Sequence, residues 1–199
     1  MQLDKIVVCL LMLFSLTGCG YRWHYDYPEG VRPTVNVPLI YKDEDAGLTS
    51  EIISCLNSSG VIQVVPRNGD YRMDVKIVSQ HHDQIGYRRD PQIIRGQVTS
   101  NLVASEERQT LEVTVTLFHR QTEEIAYGPY SLSASTDYDY VDGDSYEDLT
   151  FTKPNQVRVE VLPFSLGQLE SVEAAREAAS SPLFRQLAKK IVDVISSEW

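Results

Sequence analysis

The 199-residue chain is 42% hydrophobic and 23% charged, with a formal net charge of −10. Such a composition belongs to a soluble globular protein, and the length suits one domain with a real core rather than an array of membrane spans. The acidic balance excludes broad nucleic-acid binding and general attraction to an anionic membrane, so any anionic ligand must meet a local basic patch.

The first element is the stretch LLMLFSLTGCGYRW, residues 10–23. A transmembrane helix needs on the order of 20 apolar residues, and this run is broken by Thr17 and Gly18. It has the length of a secretory h-region behind a weakly positive start holding Lys5 and Asp4. Leu16-Thr17-Gly18-Cys19 resembles a bacterial lipobox, in which small residues fit the peptidase and the Cys19 thiol takes a diacylglyceryl group. The plain alternative is an ordinary signal or core segment with an incidental cysteine. Residues 1–18 are thus expected to be a lipoprotein signal peptide. Residues 19–32 are an acylated cysteine and aromatic tether with Tyr21, Trp23, Tyr25 and Tyr27, and residues 33–199 a single domain. Cys9 leaves with the signal and Cys19 is acylated, so Cys55 has no disulfide partner.

Val35, Val37 and Leu39 alternate with polar residues for a short strand stopped by Pro38. Leu48, Ile52, Cys55 and Leu56 then fall on one helical face, with acids at the start and Gly60 as a stop. Val61–Val65 is a small strand, and Pro66–Gly69 a turn. Tyr71, Met73, Val75 and Ile77 mark one half-buried strand, and Leu111, Val113, Val115 and Leu117 another. A returning strand lies between Glu123 and Ser135, with a bulge or break at Gly128-Pro129. After a polar loop and the alternating Val157, Val159 and Val161, Ser181 is placed as N-cap and Pro182 as the first residue of a last helix. That helix carries Leu183, Leu187, Ile191, Val194 and Ile195, with Glu170–Ala179 as earlier helical turns. This order implies an α/β (α+β) two-layer sandwich, a mixed sheet covered on one face by two helices.

Signatures of catalysis are missing: no G-x-S-x-G, no H-E-x-x-H and no Gly-rich phosphate loop. The chain is therefore not expected to be an enzyme, nor to carry a metal or cofactor. His81 and His82 are adjacent and would point to opposite faces of a strand. The stretch DYDYVDGDSYED, residues 137–148, has calcium-like acids, but Val141 stands where an oxygen ligand is required. It is either a mobile acidic loop or a contact surface in which Tyr138, Tyr140 and Tyr146 supply rigid area for a partner. In GYRRDPQIIR, inside a long polar connection, Arg88, Arg89 and Arg95 form the one dense basic cluster. They would grip phosphates bidentately, or else form a solvated loop with pairs such as Arg89–Asp90.

Taken together, LTGCGYRW, VNVPLI followed by GLTSEIISCL, the turn into YRMDVKIVS, the hairpin around TLEVTVTLF and the helix EAAREAASSPLFRQLAKKIVDVI resemble the LptE-type lipopolysaccharide-assembly lipoproteins. By order of elements the resemblance covers most of residues 19–198. It implies a lipid-anchored domain at the outer membrane of a Gram-negative-type bacterium, facing the periplasm or seated as a plug in the lumen of a large β-barrel. There it would help the barrel assemble and insert lipopolysaccharide; Gly20 after the cysteine agrees with outer-membrane sorting. The partners implied are the barrel, lipopolysaccharide and, through the anchor, the membrane, with no nucleic acid. The segment from Asp137 to Gly167 is longer than the resemblance leads one to expect. Other outer-membrane lipoprotein modules, such as a transporter auxiliary or a peptidoglycan-synthase activator, would share the anchor and the fold. An anchored periplasmic enzyme is the remaining alternative.

Overall fold

Alternating apolar residues from Val35 onward build the sheet, and the computed structural model of the protein describes residues 32–142, 145, 150–160 and 171–198. The elements in chain order are β1 (Thr34–Asn36), α1 (Gly47–Ser59), β2 (Gln63–Val64), β3 (Tyr71–Ile94), β4 (Gln97–His119), β5 (Ile125–Asp139), β6 (Thr150–Thr152), β7 (Arg158–Glu160) and α2 (Val172–Ser196). Five strands form one sheet in the order β2-β1-β3-β4-β5, and β6 pairs with β7 in a separate ribbon. β1 runs parallel to both of its neighbours, while β3, β4 and β5 are antiparallel. Both helices pack on the sheet, so the expected mixed-sheet, two-layer α+β fold is the one observed.

The core forms where the two helical stripes meet the sheet. Leu48, Ile52 and Leu56 of α1 and Leu183, Leu187, Ile191 and Ile195 of α2 close over Met73, Val75, Leu111, Val113, Val115 and Leu117. Helix α1 starts at Ala46, which offers no side-chain cap. Buried Asp43 takes that role, accepting hydrogen bonds from the Leu48 and Thr49 amides at 3.2 and 2.7 Å and from the Thr49 hydroxyl at 2.6 Å. The helix ends as expected at Gly60, in the left-handed region at φ 69°.

Three expectations need correction. The last helix does not begin at Ser181: it is continuous over 25 residues, Ser171 caps it by accepting from the Ala174 amide at 3.3 Å, and Pro182 lies inside. Ala175, Ala179, Leu183 and Leu187 continue one buried stripe at i+4 spacing across the proline. The long polar connection is likewise no loop. Strands β3 and β4, 24 and 23 residues long, pair from Tyr71↔His119 to Ile94↔Gln97. The two-residue turn is Arg95-Gly96, at φ 52° and 80°, the signs that a type I′ hairpin turn requires. Alternation failed to reveal it because register shifts at Ile77/Ser79, Gln84/Gly86 and Gly86/Tyr87 flip which residues face which side. Lastly, β5 runs unbroken through Gly128-Pro129 to Asp139, so the start of the acidic stretch is strand. The register shifts near Leu117 supply the bulge expected there.

The hairpin is far longer than its cover. At about 3.3 Å per residue β3 has a contour of roughly 80 Å, against about 37 Å for α2 at 1.5 Å per residue. Ala104 of β4 and Val172 of α2 both pack against the cluster of Tyr138, Tyr140, Ala175 and Ala179. Beyond Tyr87 and Ala104, which lie opposite one another, the hairpin is an arm none of whose described residues joins the two clusters that the helices cover.

Candidate functional site

The arm carries the three clustered arginines Arg88, Arg89 and Arg95 and sorts them. Consecutive strand residues face opposite sides, so Arg88 and Arg89 part company. Arg88 is half-buried and donates from Nη2 to the Ser145 hydroxyl at 2.9 Å, and Ser145 itself is fully buried. Asp90, two residues on and on the same side as Arg88, is fully buried as well. Arg89 is exposed, as is Arg95 in the turn. Arg89 sits across from Leu102, with Tyr87 opposite Ala104. Leu102 is 67% exposed and Val98, four residues nearer the turn on the same strand face, 74%. The arm thus offers guanidinium groups beside bare apolar side chains, a pairing that suits an amphiphile with an anionic head. Where the arm leaves the body, a Cβ on Gly86 would fall 2.5 Å from the Glu106 Cβ, so the register shift there needs glycine.

At the base of the arm the helix-facing side of β4 changes from Leu117, Val115, Val113 and Leu111 to Gln109 and Glu107, still in step. Glu107 is only 7% exposed. It accepts a short hydrogen bond from the Tyr138 hydroxyl and another from Arg176 Nη2 at 3.0 Å, while Arg176 Nε donates to the Tyr138 oxygen at 3.2 Å. Burial pushes the Glu107 carboxyl upward, but the hydrogen bonds from Tyr138 and Arg176 more than offset it and hold it below the usual range. His82 Nδ1 lies 4.0 Å from the same carboxylate. Burial, then the Arg176 charge, pushes the His82 imidazole down against the pull of Glu107. Burial raises the hydroxyls of Tyr138 and Tyr140. Gln109 lies directly across from His82, and its buried Oε1 has no hydrogen-bond partner among the described residues.

This cluster was not expected from the sequence. Its signal was an acid at a core-facing position, Glu107, in phase with Leu111, and an arginine beside the Ala175–Ala179 stripe. Tyr138 and Tyr140 belong to it: they are 9% and 8% exposed and pack with Ala175 and Ala179 under α2. Tyr146 and Cys19 lie outside the described residues. Asp137 is held by Arg108 through two bonds of 2.7 and 2.8 Å, which commits both of its oxygens. Among the described residues no three His, Cys, Asp or Glu side chains converge as a metal site, and no helix is long and apolar enough to cross a membrane. An open concavity of about 440 Å³ at the foot of the sheet is lined by Asp70, Tyr71, His119 and Arg120 among others. Its Asp70 carboxylate is bound to the Thr34 hydroxyl and amide, at 2.7 and 3.1 Å.

A family model described as lipopolysaccharide-assembly (LptE) matches residues 33–195. None of the curated protein sequences matches the chain. Among solved structures, a minor lipoprotein from Acinetobacter baumannii is 16% identical, with 84% of this chain and 95% of that one covered and a TM-score of 0.45. The rare lipoprotein B of Shewanella oneidensis is 14% identical, with coverages of 83% and 95% and a TM-score of 0.41. Protein XCC0632 from Xanthomonas campestris is 13% identical, with coverages of 86% and 91% and a TM-score of 0.47.

Proposed function

Since the chain belongs to the lipopolysaccharide-assembly family LptE, we propose that it serves a large outer-membrane β-barrel as plug and assembly partner and meets lipopolysaccharide with its basic arm. A part in lipopolysaccharide assembly follows from the family; the barrel, the arm and the anchor are this reading's own. In it, residues 1–18 are removed, Cys19 is acylated, residues 19–32 tether the domain to the outer membrane, and residues 33–199 do the binding. Each buried CH₂ is worth about 0.8 kcal/mol, and two or more chains make such an anchor stable. The uncovered face of the sheet, with Arg72, Asp74, Lys76, Thr114 and Thr116, is polar enough to lie against a hydrated lumen wall. The work is binding, not catalysis.

One observation carries the lipid contact: Arg89 and Arg95 are exposed on the arm whose other strand bears the exposed Leu102 and Val98. Guanidinium groups fit phosphate by paired hydrogen bonds, and neighbouring apolar side chains suit acyl chains. Arg88 has a different task, donating to the Ser145 hydroxyl. Charge-assisted hydrogen bonds are worth about 1.5–3 kcal/mol each, less where salt screens them. The test is binding of purified residues 20–199 to lipopolysaccharide at low and high salt, for the parent and for Arg89→Ala/Arg95→Ala, with circular dichroism as a folding control. The reading expects the double variant to lose at least tenfold in affinity at low salt, a loss that narrows at high salt. Equal binding by both proteins at both salts would reduce the arm to a solvated hairpin.

A further inference from the structure

We propose that the first half of α2, residues 172–181, is a hinged cover that opens about Pro182 and uncovers Tyr138 and Tyr140, while the second half stays on the core. The helix is continuous in its backbone, but what holds it changes at the proline. From Leu183 onward it contributes Leu183, Leu187, Ala188, Ile191, Val192 and Ile195 to the main core. The second half is also pinned at its edge, by Lys190 Nζ donating to the Ser133 carbonyl at 2.7 Å and by the Tyr130 hydroxyl donating to Glu198 at 2.6 Å. Among the described residues the first half belongs to a separate small cluster, in which Ala175 and Ala179 are buried with Tyr138 and Tyr140 and Val172 is partly buried against them. Two alanines remove little apolar surface from water compared with the leucines and isoleucines beyond the hinge. Beside these small apolar contacts stand polar ones, Arg176 bound to Glu107 and Tyr138.

The joint between the halves is weak for a covalent reason. Pro182 has no N–H, so the Ala178 carbonyl loses its helical donor, and the ring crowds that carbonyl. Ser180, two residues before Pro182, turns its hydroxyl back onto the Arg176 carbonyl at 3.1 Å, a contact that bends helices. A proline within the turn interrupts the cooperative ladder that would otherwise tie the two halves into one unit. Next to Glu107 on the same strand face, the buried Gln109 Oε1 lacks a partner among the described residues. Lifting the cover gives that oxygen water. It also exposes two tyrosines in line with the bare arm, so the open form extends the arm's free surface toward the body.

Amide hydrogen exchange of the full-length protein in detergent tests this. The amides of residues 176–181 are expected to exchange at least tenfold faster than those of residues 187–195. Pro182→Ala restores the missing donor and should slow the first half toward the second. Glu107→Gln should speed the first half further and leave residues 187–195 unchanged. A single exchange rate along the helix, or a Pro182→Ala protein whose first half exchanges as in the parent, would overturn the hinge. Because Pro182→Ala favours helix, its result stands even where Glu107→Gln fails to fold.

Discussion

Replacing Arg176 with Ala removes the cation that holds Glu107 ionised inside the protein. Glu107 would keep the Tyr138 hydrogen bond and lose the 3.0 Å bond from Arg176 Nη2. Removing one partner of a fully buried pair costs about 3–5 kcal/mol. The Arg176 side chain is 37% exposed, so water screens part of the interaction and the estimate falls to about 2 kcal/mol. The pH dependence has a definite sign. Glu107 has its folded pKa below its ordinary value of 4.5, so its contribution is present above that value and lost as pH falls through the folded pKa. Urea unfolding of parent and variant from pH 7 down to pH 3 reads this directly. A deficit of about 2 kcal/mol at pH 7 that shrinks below pH 4.5 is expected. A variant as stable as the parent at pH 7, or a deficit unchanged across the range, would refute the assignment of Arg176 as the counter-charge.

His82 should act in a separate window. Its folded pKa lies below 6.5, so acidification from 6.5 through that pKa destabilises the parent, and His82→Gln should remove this slope in a urea-midpoint titration between pH 7.5 and 5. Gly86→Ala should cost about 1–3 kcal/mol by forcing a Cβ against Glu106, and proteolysis should then cut the arm sooner than the body. Leu187→Ala opens a hole where a fully buried side chain stood and should cost about 2–5 kcal/mol in the same unfolding assay. The Cys55 thiol, pushed up by burial and then by Glu51, should label slowly with a thiol reagent at pH 7 in the native protein.

What could be read from the sequence was whatever obeyed one period. The stripe Leu48–Ile52–Leu56 and the alternation Leu111–Leu117 carried the layers and the covered face, and Gly60 ended α1 as expected. The hairpin arm was hidden because polar and apolar residues mix along it and its bulges break the period of two. Pro182 misled because proline is favoured at a helix start, while here the i+4 stripe of Ala175, Ala179 and Leu183 overrides that preference. At the site, the basic cluster was visible as composition, but its division into an inward Arg88 and outward Arg89 and Arg95 needed the strand. Asp43 and Glu107 were invisible as anchors because their partners stand at positions 49, 138 and 176, the last two far along the chain.

A photoactivatable crosslinker tests the account most directly when carried in living cells at two places, Ser100 on the arm and Lys76 on the uncovered sheet face. The account predicts lipopolysaccharide adducts from Ser100 and a single large outer-membrane barrel from Lys76, with the arm adducts diminished in Arg89→Ala/Arg95→Ala. Capture of a peptidoglycan synthase or an inner-membrane transporter from Lys76, with no lipopolysaccharide from Ser100, would contradict it.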